Sequence, residues 1–309
     1  MDTSEQTPAE GYRCGFVAIA GRPNVGKSTL MNRLVQERLA IVTSKPQTTR
    51  RRTLGVLHGD NYQMILLDTP GLMEPHYDLH RAMLREAREA LQEADVILFL
   101  SDWREETEIP EAILDRDVPR VLAVNKVDRL RNKAELLPVL QRWHDTSAFR
   151  ELVPISALEG DGVDALVRTL VDLLPAAPPY YPPDQIADQP ERFFVAEIIR
   201  ERLLQRYERE VPYACEVQIE TFTERPEAKD YIEAWIYVEH ESQKAIVIGK
   251  GGEAIRALGE DARAAIEAFL DRPVFLTLRV KVLPDWRRRA GALRRMGYRA
   301  QEARKKPRR

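Results

Sequence analysis

The residues with the clearest chemistry form a glycine-flanked loop near the N-terminus. Residues 21–28 match the pattern GxxxxGK[ST] and lie between an apolar run and a helix-like segment. Backbone N–H groups of such a loop surround a phosphate at the N-terminus of the helix, where the helix dipole favours anions. Lys27 would bridge the β- and γ-phosphates and Ser28 would ligate Mg²⁺. The residues predicted to bind the phosphates are Gly21, Arg22, Pro23, Asn24, Val25, Gly26, Lys27, Ser28 and Thr29.

Three further motifs follow in the order required for a guanine nucleotide. Asp68-Thr69-Pro70-Gly71 offers a carboxylate for the Mg²⁺ shell and, at Gly71, a backbone N–H that can turn towards the γ-phosphate. In the motif Asn125-Lys126-Val127-Asp128, the carboxylate can accept both N–H donors of the guanine edge, a pair that adenine lacks. Asn125 would contact the N7/O6 edge, the Lys126 stem would cover the base, and Ser156-Ala157-Leu158 would donate a backbone N–H to O6. These motifs predict GTP as the ligand.

The elements that position these motifs alternate along the first half of the chain. Apolar runs predict strands at 16–20, 62–67, 96–100, 118–124 and 152–155, and helix-like segments separate them, at 28–36, 80–93, 133–143 and 164–174. Such alternation predicts an α/β fold in which helices cover both faces of a mostly parallel sheet. A short turn at 59–61 joins 53–57 to 62–67 as an antiparallel hairpin, so that the sheet is mixed. Each nucleotide motif then follows a strand, at the sheet edge where α/β proteins bind ligands.

Composition indicates a soluble protein with an uneven distribution of charge. The chain has 309 residues, 44% hydrophobic and 31% charged, with a net charge of −2. Residues 287–309 contain eleven Lys/Arg and one Glu, a balance of +10, which leaves −12 on the rest. This asymmetry suggests a polyanionic partner, either nucleic acid or anionic lipid. Two distant cysteines, an N-terminus without signal-peptide features and the lack of a long apolar run predict a cytoplasmic location, with any membrane contact peripheral.

The second half begins after six prolines between 174 and 190, which predict a semi-rigid linker. Beyond it the pattern reads helix, strand, strand, helix, loop, helix, strand. The loop contains Ile248, Gly249, Lys250, Gly251 and Gly252. A GxxG loop with a basic residue between two helices is typical of the KH domain, in which glycines let the backbone approach the phosphates of single-stranded RNA. The same glycines fit the dinucleotide pattern GxGxxA, but that site needs a βαβ unit after the glycines, whereas one strand closes this domain.

Together these motifs resemble the Era family of bacterial ribosome-assembly GTPases over nearly the whole chain. The resemblance rests on GRPNVGKST, DTPG, NKVD and SAL, on residues 44–50 as switch I, and on similar segments at 189–200, 210–213, 242–252, 281–286 and 293–298. It implies a Ras-like P-loop GTPase domain followed by an α+β, type II KH domain, and the reaction GTP + H₂O to GDP and phosphate. It also implies binding to the 3′ end of 16S rRNA in the maturing 30S subunit.

The resemblance also implies roles for individual residues. Ser28, Thr49 and Asp68 would hold Mg²⁺, with Thr48 the alternative to Thr49, and Lys27, Thr49, Gly71 and Asn24 would act in hydrolysis. Leu72 stands where Ras-like enzymes place the glutamine that orients the attacking water, so unaided hydrolysis should be slow. Proteins of similar motif use a potassium ion held partly by the asparagine at the position of Asn24, and we hypothesise the same here.

The predicted organisation is a flexible N-terminus (1–12), a G domain (13–176), a linker (177–190), a KH domain (191–285) and a basic C-terminal tail (286–309), in a monomeric protein. Two other classes of function compete with an RNA-binding assembly GTPase. A signalling or membrane-surface GTPase would use the basic tail to contact anionic lipid. A metabolic P-loop kinase is disfavoured, because it needs no guanine-reading motif.

Overall fold

The computed structural model of the protein describes residues 11–43, 45–105 and 108–299. Contacts between residues divide the chain into two compact units. The first comprises residues 1–40, 49–73 and 86–188, and the second comprises residues 41–48, 74–85 and 189–309. The predicted N-terminal segment 1–12, Ser44 of the predicted switch I and the last ten residues of the predicted tail lie wholly or mostly outside the described residues. Within the described part, no helix is both long and apolar enough to span a membrane.

The first unit is built on a six-stranded sheet with the order β2-β3-β1-β4-β5-β6. Its strands are β1 (Arg13–Gly21), β2 (Thr53–Gly59), β3 (Tyr62–Asp68), β4 (Val96–Asp102), β5 (Arg120–Asn125) and β6 (Glu151–Pro154). Its helices are α1 (Lys27–Val35), α2 (Asp78–Glu93, whose first half belongs to the second unit), α3 (Glu111–Leu114), α4 (Leu136–Asp145) and α5 (Val163–Leu173). All neighbouring strands are parallel except β2 and β3. The predicted mixed, mostly parallel sheet is therefore confirmed.

The central strands are apolar because helices cover both of their faces. Residues 17–20 of β1 and 96–100 of β4 are almost completely buried, as expected for interior parallel strands. Since parallel strands end at one edge of the sheet, β1, β3 and β5 bring their last residues, Gly21, Asp68 and Asn125, to the same edge. The sheet thus gathers motifs that are about a hundred residues apart in sequence.

The proline-rich segment differs from the predicted linker because its backbone bonds to the G-domain sheet. Val56 N donates to Ile186 O (2.9 Å), and a further bridge pairs Gly55 with Ala187. The buried Gln63 accepts hydrogen bonds from the backbone N–H groups of Tyr180 (2.7 Å) and Tyr181 (3.0 Å). Prolines exclude a helix here but leave enough donors and acceptors to pair with an edge strand.

The second unit contains a three-stranded sheet with the order β7-β8-β9, β7 being antiparallel and β9 parallel to β8. Its strands are β7 (Glu216–Thr223), β8 (Asp230–Val238) and β9 (Val274–Val282). Its helices are α6 (Glu191–Arg206), α7 (Val211–Ala214), α8 (Glu241–Ile248), α9 (Glu253–Leu270) and α10 (Ala290–Arg295). Alternate residues of β8 are buried, and α9 buries four residues spaced by four, Leu258, Ala262, Ile266 and Leu270. Helices α6 and α9 therefore share one core with the sheet.

Residues 286–299, the first part of the predicted basic C-terminal tail, are folded. Trp286, Leu293, Met296 and Tyr298 are buried in one apolar cluster with residues of α2. Trp286 Nε1 donates to Ala214 O (2.8 Å). Arginines dominate the composition of the segment. Arg288, Arg289, Arg294 and Arg295 are exposed, whereas Arg287 is partly buried and paired with Glu239.

Two segments of the predicted G domain have most of their contacts within the second unit. One is residues 41–48, which follow α1, and the other is residues 74–85, which include the first half of α2. In the second segment, Leu79, Ala82 and Met83 are buried against the C-terminal cluster. The predicted domain boundaries are single cuts along the sequence, so they could not assign these two internal segments to a different unit from the strands on either side of them.

Candidate functional site

The phosphate-binding loop begins where β1 ends, and the side chain of Lys27 folds back against the backbone of the loop. Lys27 is buried, and Nζ donates to Gly21 O (3.1 Å) and Arg22 O (2.9 Å). Burial lowers the pKa of Lys27 to about 8, although the nearby carboxylate of Asp68 acts in the opposite direction. An anion in the loop would therefore meet an ammonium group that is poorly solvated and held at a fixed position.

The phosphate-binding loop requires glycine at the two glycine positions of its motif, 21 and 26. Gly21 has φ +149°, and a Cβ there would lie 2.3 Å from Leu100 O. Gly26 has φ +105°, and a Cβ there would lie 2.2 Å from Asn125 Nδ2. Both positions combine a positive φ with a close neighbour, which is backbone at Gly21 and the hydrogen-bonded Asn125 amide at Gly26. A side chain at either position would therefore distort the loop or displace Asn125.

Three oxygen-bearing side chains converge beside Lys27. Ser28 Oγ lies 2.9 Å from Thr49 Oγ1 and donates to Asp68 Oδ2 (2.8 Å), and Thr49 Oγ1 donates to the same carboxylate oxygen (3.2 Å). Asp68 is buried, which raises its pKa to about 6, and its Oδ1 accepts no hydrogen bond within the described part of the chain. A buried carboxylate beside two hydroxyl groups is a suitable oxygen donor set for a hard divalent cation.

Of the two candidate switch I threonines, only Thr49 reaches this cluster. The hydroxyl of Thr48 donates to Lys45 O (2.6 Å) and lies 2.9 Å from Thr43 Oγ1. The side chain of Thr48 is thus engaged within its own turn, whereas Thr49 points to Ser28 and Asp68. The geometry favours Thr49 as the cation ligand.

The Asp-Thr-Pro-Gly motif lies against the phosphate-binding loop. Thr69 is buried and donates to Ile19 O (2.9 Å), so that its hydroxyl faces the sheet. A Cβ on Gly71 would lie 2.8 Å from Pro23 N, and Leu72 N donates to Gly21 O (3.2 Å). Pro70 and Leu72 are buried. The motif therefore places the backbone of Gly71 beside the phosphate-binding loop and provides no polar side chain at position 72.

The base-reading motifs are connected through Asn125. Its Nδ2 donates to Val25 O (2.7 Å) and its Oδ1 accepts from Ala157 N (2.9 Å). This side chain, predicted to read the base, therefore also fastens the phosphate-binding loop to the SAL segment, and the N–H of Ala157 is directed at Asn125. The structure thus adds a positioning role for Asn125 that the motif alone does not indicate.

Asp128 and Lys126 are each held by specific partners. Ser156 Oγ donates to Asp128 Oδ1 (2.6 Å), which fixes the orientation of the carboxylate. Lys126 Nζ donates to Asn24 O (2.6 Å) and pairs with Asp102 Oδ2 (2.9 Å). The side chain of Leu158 is 59% exposed, so that it can cover one face of a base. The carboxylate is thus pre-oriented to accept two parallel N–H donors.

Two residues that sequence reasoning missed support this arrangement. Asp102 ends β4, and the only signal for it is its place at the ligand-binding edge of the sheet. Arg33 of α1 donates to Ala157 O (3.4 Å) and Leu158 O, and nothing in the sequence indicates this partner. Arg22, predicted to bind phosphate, is half-buried and paired with Glu108.

In the second unit, the GxxG loop joins α8 to α9 through a short 3-10 turn (Lys250–Gly252). Gly249 has φ +73°, and a Cβ there would lie 2.6 Å from the Cβ of Ala254. Gly251 and Gly252 also have positive φ, but a Cβ on either meets nothing within 4 Å. The loop is therefore tight at Gly249 and open at Gly251 and Gly252, and Lys250, between Gly249 and Gly251, is exposed.

A groove runs from this loop between α9 and β9. It is lined by the loop residue Gly252, by Ile255, Arg256 and Gly259 of α9, and by Phe275 and Leu278 of β9, among others. Phe275 is 56% exposed and Gly259 keeps the groove open opposite Leu278. An exposed aromatic ring and apolar walls beside a glycine-rich loop suit unstacked bases whose phosphates follow the loop.

Comparisons with known proteins agree with both sites. Residues 16–126 match the family described as 50S ribosome-binding GTPase, and residues 210–287 match the KH domain family. GTPase Era of Alkaliphilus metalliredigens is 43% identical over 293 residues, which cover 93% of this chain and 99% of that protein. The chain belongs to the Era GTPase family.

Solved structures of the Era family share the fold of the whole chain. An Aquifex aeolicus Era variant bound to GDP and AlF4⁻ superposes with a TM-score of 0.89 at 40% identity, covering 93% of this chain and 99% of that chain. Era in complex with MgGDPNP and nucleotides 1506–1542 of 16S ribosomal RNA has the same TM-score, identity and coverage. The chloroplastic GTPase ERA-like of Arabidopsis thaliana is 41% identical over 96% of this chain and 71% of that protein. This Era-family chain is therefore a GTPase with a C-terminal KH domain.

Proposed function

We propose that this GTPase binds the 3′ end of 16S rRNA through its KH domain and acts as a nucleotide-controlled factor in 30S subunit assembly and 16S rRNA maturation. The observation that carries the proposal is that one chain combines a guanine-nucleotide site with an open GxxG loop and groove. Support comes from its similarity, over 93% of its length, to an Era structure that contains both MgGDPNP and 16S nucleotides.

Mg²⁺ is the proposed cofactor of hydrolysis, and Ser28, Thr49 and Asp68 would hold it. When bound, it would neutralise charge on the β- and γ-phosphates. Lys27 would supply a second positive charge from inside the loop, and the backbone N–H of Gly71 would face the γ-phosphate. The orphan oxygen of Asp68 and the two neighbouring hydroxyl groups support this assignment.

Potassium is the proposed second cation, because Leu72 cannot orient water or supply charge. Asn24 has a left-handed backbone (φ 65°), which glycine also adopts without strain. We expect GTP turnover to be about tenfold faster in KCl than in NaCl at equal ionic strength. In Asn24→Gly we expect the two salts to give the same, slower rate, with GDP affinity retained. Equal turnover of the unaltered protein in both salts would reject the proposal.

The RNA partner can be identified by ultraviolet crosslinking in cells, followed by sequencing of the RNA bound to the full-length protein. We expect reads concentrated at the 3′ end of 16S rRNA, with precursor sequences among them. Reads spread evenly over all ribosomal RNA, or concentrated on messenger RNA, would contradict the proposed role. A cytoplasmic location, a monomeric state and peripheral contact with anionic membrane stay predictions, and a liposome pull-down repeated at several salt concentrations tests the last.

A further inference from the structure

The segment that precedes the cation ligand Thr49 is held by α6, the first helix of the second unit. Arg200 of α6 is buried, with 1% of its side chain exposed, and its Nη2 donates to Thr48 O (2.5 Å). The same guanidinium is oriented by Glu197, one turn earlier, to which it donates from Nε (2.9 Å) and Nη2. A buried, oriented arginine is thus directed at the carbonyl immediately before Thr49.

Two further hydrogen bonds join the same segment to α6, through the side chain of Lys45. Lys45 Nζ donates to the carbonyls of Leu204 and Tyr207, at the C-terminal end of α6. Carbonyls in the last turn of a helix have no partner within the helix, and the helix dipole favours a cation there. Lys45 therefore caps α6 and at the same time holds its own turn in place.

The turn between these two anchors is also closed internally. Lys45 N donates to Thr43 Oγ1 (3.1 Å), and the Thr48 hydroxyl donates to Lys45 O (2.6 Å). Gln47 has a positive φ of 61°, a conformation that non-glycine residues keep only when the surroundings hold it. The residues immediately before Thr49 therefore form a compact turn that is bonded to α6 at Lys45 and Thr48 and receives a longer contact from Tyr77 Oη at Gln47 Oε1 (3.5 Å).

We propose that Arg200 and Lys45 are positioning residues for GTP hydrolysis, which hold Thr49 ready for Mg²⁺ and the γ-phosphate. The inference rests on the proposed role of Thr49. Without the anchors, part of the binding energy of the triphosphate would be spent on ordering residues 45–49, which lowers the apparent affinity in proportion to the fraction of competent conformers. GDP has no γ-phosphate and should be insensitive to this ordering.

The test measures affinities of the full-length protein for fluorescent GDPNP and GDP in the presence of Mg²⁺, together with GTP turnover. In Arg200→Met and in Lys45→Met we expect GDPNP to bind at least about tenfold more weakly, with slower turnover, and GDP affinity to stay within about twofold. Combining the two changes should add little, because both release the same segment. Arg200→Lys should restore part of the loss, since an ammonium can reach one carbonyl but cannot form the forked contact with Glu197 as well.

The matched control is Arg206→Met on the same helix, which breaks an exposed ion pair with Asp261 and should change neither affinity. Equal loss of GDP and GDPNP affinity in Arg200→Met, or no loss of either, overturns the inference. If Arg200→Met does not fold, Arg200→Lys and Lys45→Met carry the same test. Thr49→Ala separates failure of the proposed role of Thr49 from failure of the inference. Normal GDPNP affinity in Thr49→Ala would remove the role of Thr49, and the inference with it. Selective loss of GDPNP affinity in Thr49→Ala but not in Arg200→Met would remove the inference alone.

Discussion

Replacing Asp128 by asparagine is expected to weaken GTP and GDP binding about 1000-fold and to create affinity for xanthine nucleotides. The carboxylate of Asp128, oriented by the Ser156 hydroxyl at 2.6 Å, would accept two N–H donors of guanine. Asparagine has one acceptor oxygen and an N–H₂ donor, so its N–H₂ would meet the exocyclic N–H₂ of guanine and leave two donors facing each other. Losing one charge-assisted hydrogen bond, weakening the other to a neutral one and opposing two donors together correspond to about 4 kcal/mol. Xanthine carries an oxygen at that position, which the new N–H₂ can bond.

Calorimetry with GDP, xanthosine diphosphate and ADP measures this exchange directly. Asp164→Asn is the matched control, because it makes the same chemical change in the first turn of α5 on an exposed side chain. The control should bind GDP normally. If Asp128→Asn retains GDP affinity, or loses it without gaining xanthosine diphosphate, Asp128 is not the residue that reads the base.

Gly251→Asp is expected to weaken RNA binding at least 100-fold while GTP binding and turnover without RNA stay unchanged. Gly251 lies in the open part of the GxxG loop with φ +60°, where an added Cβ meets nothing. Aspartate and asparagine both tolerate this left-handed backbone better than other residues. The expected loss therefore comes from a negative charge placed where phosphates approach, and not from a steric clash.

Gly251→Asn provides the matched control for this second change, since it has the same shape and no charge. We expect it to lose less than about tenfold in affinity for a 16S 3′-end oligonucleotide, measured by fluorescence anisotropy at two salt concentrations. Equal losses in the two variants would mean that glycine itself, rather than the local charge, is required. Unchanged binding in Gly251→Asp would contradict the assignment of this loop as the RNA site.

The nucleotide site was predictable because its chemistry is local in sequence and its framework is regular. A buried strand that ends in GxxxxGK[ST] needs no knowledge of distant contacts, and parallel strands bring Asp68 and Asn125 to the same edge. The double function of Asn125 was not predictable, because it depends on the distances to Val25 and Ala157, which lie on two other loops. The partners of Arg33 depend in the same way on tertiary packing.

The second unit shows where reasoning from composition fails. The many arginines of residues 287–299 lead to their interpretation as part of a basic tail, and the apolar residues among them do not reveal which partners they contact. Only the structure shows that Trp286 and Tyr298 find buried hydrogen-bond partners in the KH region, at Ala214 O and Glu216 Oε2. For large aromatic residues with polar atoms, burial becomes favourable once such a partner exists.

The division of the chain into units has a consequence for any attempt to produce the nucleotide-binding half alone. The backbone passes from one unit to the other after residues 40, 48, 73, 85 and 188, so a single cut cannot separate them. Truncation after Asp188 would leave Leu79, Ala82 and Met83 without the aromatic and aliphatic side chains that cover them. The exposed hydrophobic patch that results would promote aggregation. A shortened protein would also lack the arginine that tethers Thr48. Kinetic constants taken from such a fragment would describe a damaged enzyme rather than an autonomous one.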